Sequence, residues 1–400
     1  MQDLEVLFSR VRRGMLFTAV LGAGAALTAC GGGGSGETPA PAPTPAPAPT
    51  PAPAPTPAPA PSPSPVPAPS PAPAPASGTL TLVAGAIDFT SKGALDGPAL
   101  LARFRMASGV AADGRGNVYV ADSIDGTIRK ISSGQVSTLA GSIYASGSAG
   151  VNYATFSGPT GMTVDPAGNT YVTDGYPASL CCFPVDFYWR SVRKTTPEGV
   201  VTTLPMPVDQ FHDRISGPGI ALDASGNVYV VRGGAIRKFT QDGVMSNVTA
   251  PEVVRYISSL AVDKAGTVYF GYQNTIRKIV PGQAEVVLAG NGTAGYADGA
   301  GDQARFDFPE YSLARYNLQV MTSLAVDSVG NVYVADANNF AVRRISPDGR
   351  VTTIAGRPGV QEIQTGELPA GLASPRGLAL DGDKTLYVTT LSTVLRIDLR

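Results

Sequence analysis

Ser323 to Ile345 reads S-L-A-V-D-S-V-G-N-V-Y-V-A-D-A-N-N-F-A-V-R-R-I. Leu324 to Val326 is a short apolar run, Val332 to Ala335 a second β-rich run, and Val342 to Ile345 a third. Between them lie turn residues, D-S-V-G-N at 327–331 and Asp336 to Asn339. Asp and Asn side chains hydrogen-bond the nearby backbone, and Gly330 reaches φ > 0 without a Cβ clash, so both stretches favour tight reversals. The segment therefore predicts a meander of short antiparallel strands.

The same sentence recurs along the chain. Its turn aspartate is Asp113, Asp165, Asp223, Asp263, Asp327 and Asp381, at intervals of 52, 58, 40, 64 and 54 residues. Six residues after each stands a tyrosine: Tyr119, Tyr171, Tyr229, Tyr269, Tyr333 and Tyr387. A constant motif with variable spacing means a constant unit with loops of free length. Fourth-strand patterns follow in Leu139-Ala140-Gly141, Leu288-Ala289-Gly290 and Ile354-Ala355-Gly356. Six repeats of four strands (a to d) predict an all-β fold, a six-bladed β-propeller with four antiparallel strands per blade. Thr79 to Gly85 (T-L-T-L-V-A-G) matches the fourth-strand pattern but precedes the first repeat. The last repeat ends after its third strand, at Leu395 to Arg400. The surplus at one end supplies the deficit at the other, so the N-terminal strand is expected to close the ring and remove an open edge.

Gly109 to Ile131 (G-V-A-A-D-G-R-G-N-V-Y-V-A-D-S-I-D-G-T-I-R-K-I) resembles the NHL-repeat family, and the resemblance covers nearly all of residues 79–400. Copies drift at the Ala-Asp pair, which becomes Val231-Arg232, Gly271-Tyr272 and Thr389-Thr390. The resemblance implies the propeller fold. It leaves function open, because that family spans binding scaffolds, sensors and a few enzymes.

The ends differ from the middle. Residues 1–29 read as a signal peptide, with Arg10, Arg12 and Arg13 ahead of an apolar segment, Met15 to Leu27, too short for an ordinary bilayer span. Leu27-Thr28-Ala29-Cys30-Gly31 resembles the lipobox of bacterial lipoproteins. That resemblance implies lipidation of Cys30 and a bacterial cell-envelope location, membrane-tethered and facing the periplasm or exterior; plain cleavage with an unmodified Cys30 is the alternative. Residues 30–77 are Gly-rich and then Pro/Ala-rich, a disordered linker that cannot bury a core. In polyproline II, 39 such residues (38–76) reach on the order of 120 Å. Residues 78–400 make one large domain. Net charge is −1, with no basic footprint, so a nucleic-acid partner is not expected.

Chemistry has few candidates. Asp122, Asp174 and Asp336 end strand b, and carboxylates suit a divalent cation such as calcium near the channel. The plainer reading has each capping its own b–c turn. Basic pairs on strand c (Arg129/Lys130, Arg193/Lys194, Arg237/Lys238, Arg277/Lys278, Arg343/Arg344) point to opposite faces, stems packed and heads solvated. The tyrosines read as inter-blade packing, and Phe104, Phe156 and Phe306 as connector anchors. His212 is the sole histidine, too few for a His-based zinc site, and no G-x-S-x-G occurs.

The long connections 86–106, 142–157, 175–190, 291–320 and 357–374 are expected on one face, with the b–c loops. Most irregular is Gly175 to Arg190 (G-Y-P-A-S-L-C-C-F-P-V-D-F-Y-W-R), with the only tryptophan. Asp186, Phe187, Tyr188, Trp189 and Arg190 have the composition of a binding hot spot; folding of the aromatics inward over the channel is the alternative. Cys181 and Cys182 are candidates for a disulfide in an oxidising compartment, with free thiols or an intermolecular bridge as the alternatives. The leading expectation is a non-catalytic binding or scaffold module for a protein, peptide or glycan ligand, without a cofactor. The rival is a divalent-metal-dependent propeller enzyme of lactonase or lyase type.

Overall fold

The computed structural model describes residues 78–87, 93–141, 156–175, 189–206, 215–249, 257–308 and 322–399. Residues 1–77, with the expected signal peptide, Cys30 and linker, lie outside the described residues. So do Cys181, Cys182, Asp186, Phe187, Tyr188 and His212.

The domain is a six-bladed β-propeller, each blade four antiparallel strands. Blade one comprises strand a, Ala107–Ala112; b, Val118–Asp122; c, Thr127–Ser132; and d, Gln135–Gly141. Blade five repeats it as Leu324–Val326, Val332–Asp336, Ala341–Ile345 and Val351–Gly356. The six a strands adjoin in order around the axis, and that of blade six (Leu378–Asp381) returns to blade one. Strand b has neighbours on both faces, which is why V-Y-V-A-D runs apolar without alternation and is buried at every position.

The turn aspartate builds each a–b reversal. Asp327 accepts the backbone N–H of Val329 and Asn331 at 3.1 and 2.8 Å, and the Asn331 side-chain amide at 2.7 Å. The glycine before the strand-b asparagine or threonine (Gly116, Gly168, Gly226, Gly266, Gly330) holds φ between 75° and 89°, a left-handed conformation costly to any other residue. In five blades the tyrosine hydroxyl reaches back to this aspartate at 3.2–3.4 Å. Its ring meanwhile packs into the next blade: Tyr119 shares a cluster with Met162 and Val172, and Tyr333 with Leu378 and Leu386.

The ring closes through the first strand. Thr79–Gly85 pairs antiparallel with Thr393–Asp398, Leu80 opposite Ile397, as the fourth strand of blade six. Leu80 and Ala84 are fully buried.

The long connectors depart from expectation. Gly97–Pro98 pairs with strand d of blade one, Gly366–Glu367 with Thr79–Leu80, and Gly299 with Val351 of blade five. These three segments run along the outer edge of the blade that follows, where strand d would otherwise leave N–H and C=O groups unpaired. They are scaffold rather than free loops of one face.

Leu80→Ala is expected to cost about 2–5 kcal/mol, a buried leucine truncated, and deletion of residues 79–85 more, since it bares the edge of Thr393–Asp398. Denaturant titration of both variants checks this; a midpoint equal to wild type for the deletion would refute closure.

Candidate functional site

Each strand-b aspartate expected at the channel serves the connector instead. Asp122 accepts the backbone N–H of Arg105 and Met106 at 3.0 and 2.8 Å. Asp174 accepts those of Ser157 and Gly158 at 2.8 and 3.0 Å. Asp336 accepts that of Asp307 at 2.9 Å, besides the Asn339 side-chain amide in its own b–c turn. Capping therefore holds, but mainly of the segment leading into strand a. The three carboxylates sit in three blades, and no three His, Cys, Asp or Glu gather among the described residues.

The strand-c arginines correct a second expectation, because Arg129 and Arg343 have no solvated head: both are fully buried. Arg343 donates to Asp336 at 2.8 Å, to Asp298 at 2.6 Å, and to the carbonyls of Ala297 and Arg305 at 2.7 and 3.2 Å. Its guanidinium lies over Tyr296 and Phe306, 4.6 and 5.4 Å from the ring centres. Arg129 repeats this with Asp96, the carbonyls of Leu95 and Arg103, and the Phe104 ring at 5.3 Å. Asp298 and Asp96 also accept the backbone N–H of Thr353 and Thr138, each at 2.9 Å, beside a register shift between strands c and d. A connector carboxylate thus fills the gap of a β-bulge and neutralises a buried arginine. The other basic residue of each pair faces the tyrosine across the sheet, as Lys238 does Tyr229 at 5.3 Å.

Trp189 and Arg190, read as loop residues, begin strand c of blade two, Trp189–Thr195. Trp189 pairs through its backbone with Gly175 and with Ile215 of blade three, joining the two blades in one sheet. The insertion, residues 176–188, therefore leaves and rejoins the sheet at one point. Elsewhere strands b and c are joined by two to four residues, as Asp122 to Thr127 and Tyr272 to Thr275.

That face also carries the channel mouth. A cavity of about 50 Å³ lies on the axis, lined by the first residues of the a strands of all six blades. Glycines let the strands converge: a Cβ on Gly109 would collide with the Thr160 carbonyl, and one on Gly377 with that of Ser108. The residue five before each turn aspartate is Ser108, Thr160, Pro218, Ser258, Thr322 or Arg376. Arg376 is the one ionisable member. It is only 3% exposed, and its Nε and Nη1 meet no hydrogen-bond acceptor among the described residues. Burial lowers its pKa to about 10, leaving it cationic at neutral pH. The hydroxyls of Thr322 and Ser259, which line the same cavity, are buried and likewise unpartnered among the described residues. Motif reading passed over Arg376 because it falls outside the recurring core; alignment of the six copies on the turn aspartate singles it out.

No family model matches the chain. Teneurin-3 of zebrafish (Danio rerio) is 23% identical over 218 residues, and Teneurin-3 of mouse (Mus musculus) 22% over 210. These alignments take in 44% and 45% of this chain, and the chain spans only about 8% of the length of these curated relatives. Among solved structures, a Bacteroides thetaiotaomicron protein of unknown function has a TM-score of 0.63 at 18% identity, covering 81% of this chain and 76% of its own. A protein described as an auxiliary nutrient binding protein, from Bacteroides ovatus, has 0.58 at 16% (81% and 77%). A Xanthomonas campestris gluconolactonase has 0.50 at 10% (81% and 90%). These likenesses are of fold.

Asp122 and Asp336 shift in one direction and Asp223 in the other. Burial pushes Asp122 and Asp336 up to about 6, against the lowering from backbone N–H groups at Asp122 and from Arg343 at Asp336. At Asp223 burial also raises, but the hydrogen bonds from Asn227 and Lys238 outweigh it and bring the value to about 2. A carboxyl with a raised folded pKa binds its proton more tightly in the native state, so stability falls as pH rises from about 4 through 6. A lowered one contributes stability above about 4 that is lost as pH drops toward 2. Thermal midpoints measured from pH 2.5 to 8 are therefore expected to peak at about pH 4 and to fall toward pH 7. Asp336→Asn should flatten the neutral arm. A wild-type midpoint that climbs steadily from pH 4 to 7 would contradict the assignment.

Proposed function

We propose that the chain is a non-catalytic binding module of NHL-repeat type, held at a bacterial cell envelope by lipid on Cys30 and a Pro/Ala stalk over residues 30–77. Its ligand is a protein, peptide or glycan, and its contact residues are Asp186, Phe187, Tyr188, Trp189 and Arg190. The observation that carries the reading is the root of blade two's insertion. Gly175 and Trp189 pair where every other blade makes a short turn, and they do so on the face where the channel opens. Repeated scaffold needs no loop there, so the departure marks the place where selection acted on something besides folding. Aromatic side chains at such a root give large contact area at low entropic cost. The nutrient-binding description of a fold neighbour agrees with this reading. A metal-dependent lactonase has less support: the strand-b aspartates it would draw on are occupied by backbone N–H groups and arginines.

Tyr188→Ala with Trp189→Ala is expected to abolish retention of ligand from a glycan array and from envelope extract, with the thermal midpoint unchanged. Retained binding, or loss of the fold, would show that these aromatics are core. Cys30→Ala should move the protein from the membrane fraction to the soluble one; a wild-type mature N-terminus without acyl mass would refute the anchor. The unreduced tryptic peptide containing Cys181 and Cys182 should weigh two hydrogens less than the dithiol, and two alkylatable thiols would exclude a disulfide.

A further inference from the structure

Arg376 is the departure from sixfold repetition that the scaffold does not explain. Elsewhere among the described residues the fully buried guanidiniums are neutralised: Arg129 and Arg343 each meet two carboxylates. Arg376 is almost as deeply buried, yet among the described residues no carboxylate pairs with it, and Nε and Nη1 find no acceptor. Burying a charge without a counter-charge is among the costliest arrangements a fold can keep. Arg376 lines the axial cavity together with Ser259 and Thr322, whose hydroxyls are also without partners among the described residues. Three residues with unsatisfied donors thus line one small space.

We propose that the channel mouth is an oxyanion site, in which Arg376 binds a carboxylate, phosphate or sulfate group and the hydroxyls of Ser259 and Thr322 complete its shell. A guanidinium presents a planar fork of N–H donors that matches two oxygens of such a group, and a water-poor site strengthens each bond. The cavity's 50 Å³ exceeds the roughly 10–15 Å³ needed for one water. It suits a small anion or the acidic head of a larger molecule, not a buried sugar ring. The mouth lies on the same face as the insertion at 176–188 but needs none of its residues, so the two sites stand or fall separately.

The full chain is melted in chloride, then with phosphate, sulfate or acetate added at matched ionic strength. The proposal expects a midpoint that rises with the logarithm of the concentration of at least one oxyanion and not with chloride. The responding arm tells a phosphate-class head from a carboxylate. Arg376→Met should erase the response and melt no lower than wild type in chloride, since an apolar chain replaces an unpaired charge. Thr322→Val, which keeps the arginine, should raise the oxyanion concentration needed several-fold. A wild type indifferent to all three oxyanions would overturn the proposal, as would an Arg376→Met protein that still responds. Should the methionine variant fail to fold, an unchanged response in Thr322→Val together with Ser259→Ala would overturn the assigned shell.

Discussion

A blade of four short strands has two edges, and each is a row of backbone donors and acceptors that must find partners. The inner edges meet as six a strands converge on one axis, and glycines such as Gly109 and Gly377 permit the approach. The outer edges are solved locally. In blades one, five and six, the segment arriving from the previous blade is laid against strand d before it turns inward. The ends of the domain obey the same constraint, since strand d of the last blade is the first strand of the chain. Ring closure and connector path are two answers to one requirement.

The connectors stay in place through buried charge. Arg343 ties a strand-b carboxylate, a connector carboxylate and two connector carbonyls into one cluster beneath two aromatic rings. Such a cluster adds little net stability over an apolar packing of equal volume, since desolvation offsets most of the attraction. What it contributes is geometry: only one connector path brings Asp298 to the bulge and Ala297 to the guanidinium. Arg376 has the cost of burial without this return among the described residues, the contrast on which its proposed binding role rests.

The fold was legible because it is written six times. The aspartate turn, the tyrosine and the small pair ending strand d depend on contacts a few residues apart, and each appeared where its spacing required. The path of the connectors was not legible, because the partner of Asp96 is Arg129 and that of Asp298 is Arg343, more than 30 residues away. The strand-c arginines read as solvated because their carboxylates come from segments with no periodic pattern. Trp189 was read as loop since no spacing rule marks where a long insertion rejoins a sheet. Arg376 was hidden differently: it carries no motif of its own, and its meaning lies wholly in what the five equivalent positions hold.

Strand direction alternates within a blade, so the first residue of any d strand lies on the face opposite the b–c loops. Thr79 is such a residue, opposite the end of strand c in blade six. The closing strand therefore begins on the underside of the ring, while the channel mouth and the root of the insertion look the other way. Tension applied at Thr79 would act first on the closing strand. The two faces of the ring are thus distinct, the closing strand beginning on one and the channel opening on the other, and that direction is set by which strand of the last blade comes first in the chain.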